Sequence, residues 1–265
     1  MSITSTLVDR AEIQFREAAE SLRPFVGCFW TITAQPDATI RVVPDGSTSI
    51  SLQLEPGRAS QWELRGPLVT HDERRFAAPA TMVGVRLRPG VAFLLTGTSA
   101  HTMVGRRVAL DDDPAFAALV AQSAPRTPAE HIDALERFLV DRLASACVHP
   151  VVAKALQEIE REGGFLRIAE LADRCGVSPR QLNRLMRVWV GYGAKYLARI
   201  ARFQTTLTVI DHSPTLPSAE LAAETGFFDQ AHLTLDVGRF AGATPRTLAS
   251  TSVADFSKTR CDDLL

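Results

Sequence analysis

The sequence predicts an α+β protein built from a β-rich first domain, a helical linker and an all-α second domain. Three observations predict it. Apolar and polar residues alternate between Leu22 and about Leu95, helical spacing takes over after Thr127, and one helix-pair pattern then occurs twice, 50 residues apart. At 265 residues the chain has room for about two domains of ~100–200 residues each. With 46% hydrophobic and 22% charged residues, it can fill real cores, which excludes wholesale disorder.

The strand signal is clearest at Ile50, Leu52 and Leu54, which alternate with Ser49, Ser51 and Gln53, and at Val83, Val85 and Leu87, which alternate with Gly84, Arg86 and Arg88. Pro44-Asp45-Gly46 and Arg88-Pro89-Gly90 read as turns. Residues 1–22 read as a short polar helix or a loose lead-in. Val91 to Leu95 begins a short helix, and Asp111 to Pro114 looks like the cap of another. These elements make a domain over 1–125.

A linker over 126–164 follows. Thr127-Pro128-Ala129-Glu130 is a capping box with proline at the first helical position, and Ile132, Leu135, Phe138, Leu139 and Leu143 then recur at helical spacing. A second linker helix runs Val151 to Arg161 and stops at Gly163-Gly164.

Residues 165–250 carry the repeat. Ala169-Glu170-Leu171-Ala172 recurs as Ala219-Glu220-Leu221-Ala222, and each copy is followed by glycine, Gly176 or Gly226, at the same distance. Ser178-Pro179-Arg180-Gln181 reads as a capping box opening a second helix, with Leu182, Leu185, Met186 and Trp189 as its buried stripe. Two helices joined by a short glycine-containing turn are a helix-turn-helix. The opposite face of the second helix carries Arg180, Asn183 and Arg184 near its start. Arginine pairs with guanine and asparagine with adenine in the major groove, so these three are the candidate base readers. Arg187, one turn further on, suits phosphate.

Charge follows the same line. Overall net charge is −1, yet residues 167–202 hold eight basic residues against two acids. Such a block fits either a polyanion footprint or a solvated face, and the duplicated helix pair favours the first.

The motifs Leu171-Ala172, Gly176-Val177-Ser178, Leu182, Arg184, Gly191, Tyr196 and Arg202, then Gly226-Phe227, Asp229-Gln230, Leu233, Gly242 and Thr244-Pro245, stand at the spacing of a known pattern. Residues 165–249 resemble the DNA-binding domain of the AraC/XylS family of bacterial transcription regulators. The resemblance implies two helix-turn-helix units joined by a long helix, here from about Ala194 to Ile210. It implies a transcription factor whose partners are double-stranded DNA and RNA polymerase, acting more often as an activator, as a homodimer and in the cytoplasm. Leu22-Arg23-Pro24-Phe25-Val26, Phe29-Trp30, Val43-Pro44-Asp45-Gly46 and Gly84 to Gly90 resemble the sensor-like domain of a subgroup of these regulators, for which a barrel-like β domain and a small-molecule effector are expected.

The second unit departs from the pattern. Its positions equivalent to Arg180, Asn183, Arg184 and Arg187 are Ala231, Thr234, Leu235 and Gly238. An asymmetric reader is expected: the first unit specifies, and the second buttresses or grips phosphate. Candidate backbone contacts are Ser178, Arg187, Lys195, Arg202, Gln230, Thr234, Arg239 and Arg246, with Arg202 alternatively structural. The competing reading is a ligand-binding or protein-interaction module whose degenerate second unit leaves little sequence-specific DNA binding.

In the first half, Trp30, Trp62, Arg86 and Arg88 are candidate ligand contacts, weighed against core tryptophans and ordinary surface arginines. No nucleophile elbow, P-loop, dinucleotide fingerprint or zinc-protease motif is present, so no enzymatic activity, cofactor or metal is expected. Cys28, Cys147, Cys175 and Cys261 stand far apart in sequence, which argues against a zinc cluster or a disulfide framework.

Overall fold

The computed structural model describes residues 6–54, 61–121 and 127–250; residues 251–265, read from the sequence as a tail beyond the repeat, lie outside them. The first domain is one antiparallel sheet of β1 (Thr6–Arg16), β2 (Val26–Val42), β3 (Thr48–Leu54), β4 (Trp62–Arg65), β5 (Asp72–Arg75), β6 (Ala80–Leu87) and β7 (Arg107–Ala109). The order is β1-β2-β6-β3-β4-β7, with β5 on the far end of β2. The sheet is open, which corrects the expected barrel-like closure. The long β2 changes partner along its length, from β6 at Val26–Ala34 to β5 at Thr39–Val42, and the edge strand β7 has only three residues with which to close.

A second correction concerns the lead-in. Thr6–Arg16 is a strand paired with β2 from Thr6 opposite Val42 to Arg16 opposite Phe29, irregular between Asp9 and Ala11 where Arg10 takes φ of 55°. Ala11 and Ile13 pack against the apolar cluster at this end of the sheet. The charges of Arg10, Glu12, Arg16 and Glu17 dilute that alternation in the sequence. Cys147 is exposed and Cys175 buried, and both are free thiols.

α1 (Val91–Thr96), α2 (Ala117–Val120) and α3 (Pro128–Leu143) pack with the sheet. Both arms of the Thr127–Glu130 capping box are formed, and Ile132, Leu135 and Leu139 of α3 share a core with Phe29, Trp62 and Val85. α4 (Pro150–Arg161) belongs to the other core through Val152, Ala155 and Ile159. The linker residues are thus divided between two cores.

The second core is completed by α5 (Ile168–Arg174), α6 (Pro179–Val190), α7 (Ala194–His212), α8 (Ser218–Glu224), α9 (Gln230–Ala241) and α10 (Pro245–Ser250). α7 runs through its centre, with Leu197, Ile200, Phe203 and Leu207 buried. Asp236 of α9, 2% exposed, is paired with Arg199 of α7 at 2.5 Å, tying the second helix pair to the central helix. Val43 of the sheet domain inserts into this core, and the buried Gln204 donates to the Pro44 carbonyl at 2.6 Å. The two domains therefore share an interface beside the turn that follows β2.

Candidate nucleic-acid interface and interdomain cavities

The two helix pairs match element by element. α5 and α8 have seven residues each, α6 and α9 twelve. Ser178 caps α6 by accepting from the Gln181 amide at 3.2 Å, and Asp229 caps α9 by accepting from the His232 amide at 2.7 Å. Both reading helices end in a left-handed glycine, Gly191 at φ 101° and Gly242 at φ 67°.

The buried stripe of α6, Leu182, Leu185, Met186 and Val190, turns Arg180, Asn183, Arg184 and Arg187 outward, and all four are exposed. Arg180 and Arg184 stand on the open face. Asn183 leans onto the α carbon of Gly193, where any side chain would collide with its Oδ1. An Arg187 Nη lies 2.6 Å from Nε2 of His101 in the sheet domain. One arm of the guanidinium is thus engaged across the domain boundary.

Arg202 packs within the helical domain. It donates to the Gly164 carbonyl at 3.0 Å and is stacked between the rings of Phe165 and Phe227, and burial pushes its pKa down. It bridges Phe165, ahead of the first helix pair, and Phe227, in the turn of the second. Lys195 and Arg246 are exposed. Gln230 is exposed, while the Thr234 hydroxyl donates to the Gln230 carbonyl at 2.8 Å. Arg239 places its guanidinium 5.5 Å from the Tyr196 ring centre.

The sheet domain grips both reading helices at their C-terminal ends. His101 contacts Gly191 and Arg187, and Phe93 packs on Trp189 with ring centres 4.4 Å apart. On α9, Thr70 donates to the Arg239 carbonyl at 2.8 Å, and the His71 ring lies against Gly242. These histidines carried no sequence motif, and only folding pairs them with the helix ends.

The ligand candidates separate. Trp62 is 1% exposed in the sheet core, which corrects it as a pocket residue. Trp30 lines a small cavity of about 80 Å³ against the sheet, held over Gly84, where a methyl group would strike its ring. Arg86 enters the same cavity, ion-paired with Asp45. The cavity also holds Arg65, Arg74 and Arg107 with Glu63 and Asp72, which the sequence reading missed. Arg107 pairs with Asp72 at 2.5 Å, and burial pushes the Arg65 pKa down. A signal existed: Glu63 with Arg65, and Asp72 with Arg74, are two apart on strands, so each pair shares a face.

A larger cleft of about 810 Å³ separates the sheet domain from α4 and α7. Arg86 and Arg88 both reach it, so the structure does bring these two together. Across it stands Glu160, whose pKa is raised chiefly by burial and lowered in part by Arg88. Arg88 itself is lowered by burial and donates to the Arg23 carbonyl at 2.8 Å. Among the described residues, no cluster of three or more histidine, cysteine or acidic side chains is placed to hold a metal ion, and no helix is long and apolar enough to cross a membrane.

Residues 171–251 match a family model described as a helix-turn-helix domain. Residues 171–251 are therefore a helix-turn-helix domain. Ahead of this helix-turn-helix domain, residues 14–109 match a domain of unknown function (DUF6597). No curated protein sequence matches the chain. Among solved structures, the chain is similar to the C-terminal domain of AraT, a response regulator from Geobacillus stearothermophilus, at 22% identity over 40% of this chain and 88% of that one, with a TM-score of 0.37. It is also similar to ToxT from Vibrio cholerae, at 7% identity over 91% of this chain and 98% of that one, with a TM-score of 0.46. ToxT with an unsaturated fatty acid bound aligns at 11% identity over 94% and 96%, with a TM-score of 0.43.

Proposed function

We propose that the chain is a sequence-specific DNA-binding transcription regulator, an activator working in the cytoplasm, whose N-terminal domain answers to a small-molecule effector. One observation carries the DNA reading. Within a helix-turn-helix domain, Arg180 and Arg184 stand exposed on one face of the N-terminal half of α6, the part of a recognition helix that meets base edges. The guanidinium forks pair with guanine, Asn183 turns from Gly193 to a neighbouring base, and Ser178, Lys195, Gln230 and Arg246 hold the backbone. The chain acts by binding and not by catalysis, and RNA polymerase and a second copy are its protein partners. Enrichment from random duplexes by the full chain tests this. A recovered motif that loses one position in Arg184→Ala supports it; no enrichment leaves a ligand-binding or interaction module.

The effector site is the interdomain cleft. Its volume lies in the range of small-molecule pockets. Phe25, Leu156 and Leu197 supply apolar wall, and Arg88 supplies positive charge beside the Arg86–Asp45 ion pair, so the chemistry fits a small organic acid with an apolar body. Such a ligand touches β6, α4 and α7 at once, and therefore reaches the same interface through which the sheet domain grips α6 and α9.

A further inference from the structure

The second reading helix exposes hydrocarbon where the first exposes guanidinium. Leu235 occupies the place of Arg184, Ala231 that of Arg180 and Thr234 that of Asn183. Leu235 is 71% exposed, and Phe228, just ahead of the Asp229 cap, is 93% exposed. Ala231 is exposed beside them, and the Thr234 hydroxyl is tied back to the Gln230 carbonyl. Ala231 and Leu235 are four apart and share one side of the helix start, and Phe228 precedes the cap at the same end of the helix. The sheet domain meets α9 at Arg239, Ala241 and Gly242, the opposite end, and leaves this side open. Large apolar side chains exposed together mark a surface that a partner covers.

We propose that this face reads the 5-methyl groups of thymines in the major groove. The inference rests on the DNA-binding function proposed above. The place equivalent to a base-reading arginine, in a unit of the same size and caps, sets Leu235 against base edges. The thymine methyl is the apolar feature that the major groove offers there, and alanine, the threonine methyl and phenylalanine are side chains that contact it. The second unit then specifies by shape and hydrocarbon contact, which revises the expectation that it only buttresses or grips phosphate.

The test uses the full chain and its enriched duplex, with each thymine of the half-site not read by Arg184 replaced in turn by deoxyuridine, which removes only the methyl group. Wild type should lose about fourfold in affinity at one or two of these positions, the worth of one buried methyl. Leu235→Ala should bind the thymine duplex more weakly and be indifferent to the replacement at one of them, and Phe228→Ala at the same or a neighbouring one. Both residues are exposed, so these variants fold. Deoxyuridine without effect anywhere, or equal losses in wild type and both variants, overturns the proposal while leaving Arg184 reading intact. A concentration-dependent dimer that dissociates in Leu235→Lys, with no thymine effect, also overturns it and assigns the face to a second copy. If no duplex is enriched, the DNA-binding function itself fails and the methyl reading with it.

Discussion

His101 of the sheet domain holds the end of the first reading helix by both ring nitrogens: Nδ1 lies 2.9 Å from the Gly191 carbonyl and Nε2 lies 2.6 Å from an Arg187 Nη. The carbonyl can only accept and the guanidinium can only donate, so both contacts are made at once by the neutral ring with its proton on Nδ1. Gly191 takes φ of 101° here, with Ala100, Val104 and Pro67 packed where a side chain would stand. His101→Ala should free Arg187 for phosphate. The slope of log K against log salt should then steepen by about 0.9, one more neutralised phosphate, and affinity at low salt should rise. Parallel salt plots for variant and wild type would show that Arg187 stays off the DNA.

For the wild-type chain, Lys195, Arg239 and Arg246 as the cations that neutralise phosphate predict a slope of about −2 to −3 per monomer. A slope near zero would make the basic block of residues 167–202 ordinary surface. Arg184→Ala should cost about 1–3 kcal/mol at one base pair and relax specificity there, as measured by competition between duplexes differing at that position.

Arg202 and Asp236 should behave differently from Arg184. Asp236→Ala leaves Arg199 without its buried partner and should lower stability by about 3 kcal/mol, read by denaturant unfolding. Arg202→Ala should lower the midpoint of thermal unfolding and leave the salt slope unchanged, because its guanidinium sits between Phe165 and Phe227. A shallower salt slope in Arg202→Ala would return it to the backbone contacts.

Glu160 predicts a pH effect. Burial raises its folded pKa, so the folded protein keeps this proton to higher pH than the unfolded chain does. The associated stability is present below the ordinary carboxylate range and is lost as pH rises through the raised value. Glu160→Gln removes that dependence, so the variant should gain stability relative to wild type as pH rises from mildly acidic to neutral. Unfolding curves that keep a constant offset over this range would contradict the assignment.

If the cleft takes an organic acid, small acids with an apolar body should raise the melting temperature of wild type and do so less in Arg88→Ala. Stabilisation by ligand follows RT ln(1 + [L]/Kd), so a dose series distinguishes a site from a general solvent effect. Equal shifts in both proteins would remove Arg88 from the site.

The helical half was legible because its signals are local. Thr127, Ser178 and Asp229 cap helices within three residues of themselves, Gly191 and Gly242 end them, and the stripe of α6 alone determines that Arg180 and Arg184 turn to solvent. The β half was legible only in part, since β1 became a strand by pairing with β2, and closure of a sheet depends on which strands meet and how long they are. Nothing near Trp62 in sequence told it from Trp30, yet one fills the sheet core and the other borders the cavity.

What the amino-acid order determined by itself was therefore the helix-turn-helix pair, its caps and the residue types on its reading faces, all consequences of contacts three or four residues apart. The tertiary structure alone decided that Arg187 is held by His101, that Arg202 is stacked between two rings, and that Arg86, Arg88 and Glu160 meet around one cleft. Those outcomes join residues 25 to 86 positions apart, and such contacts exist only once the chain has folded.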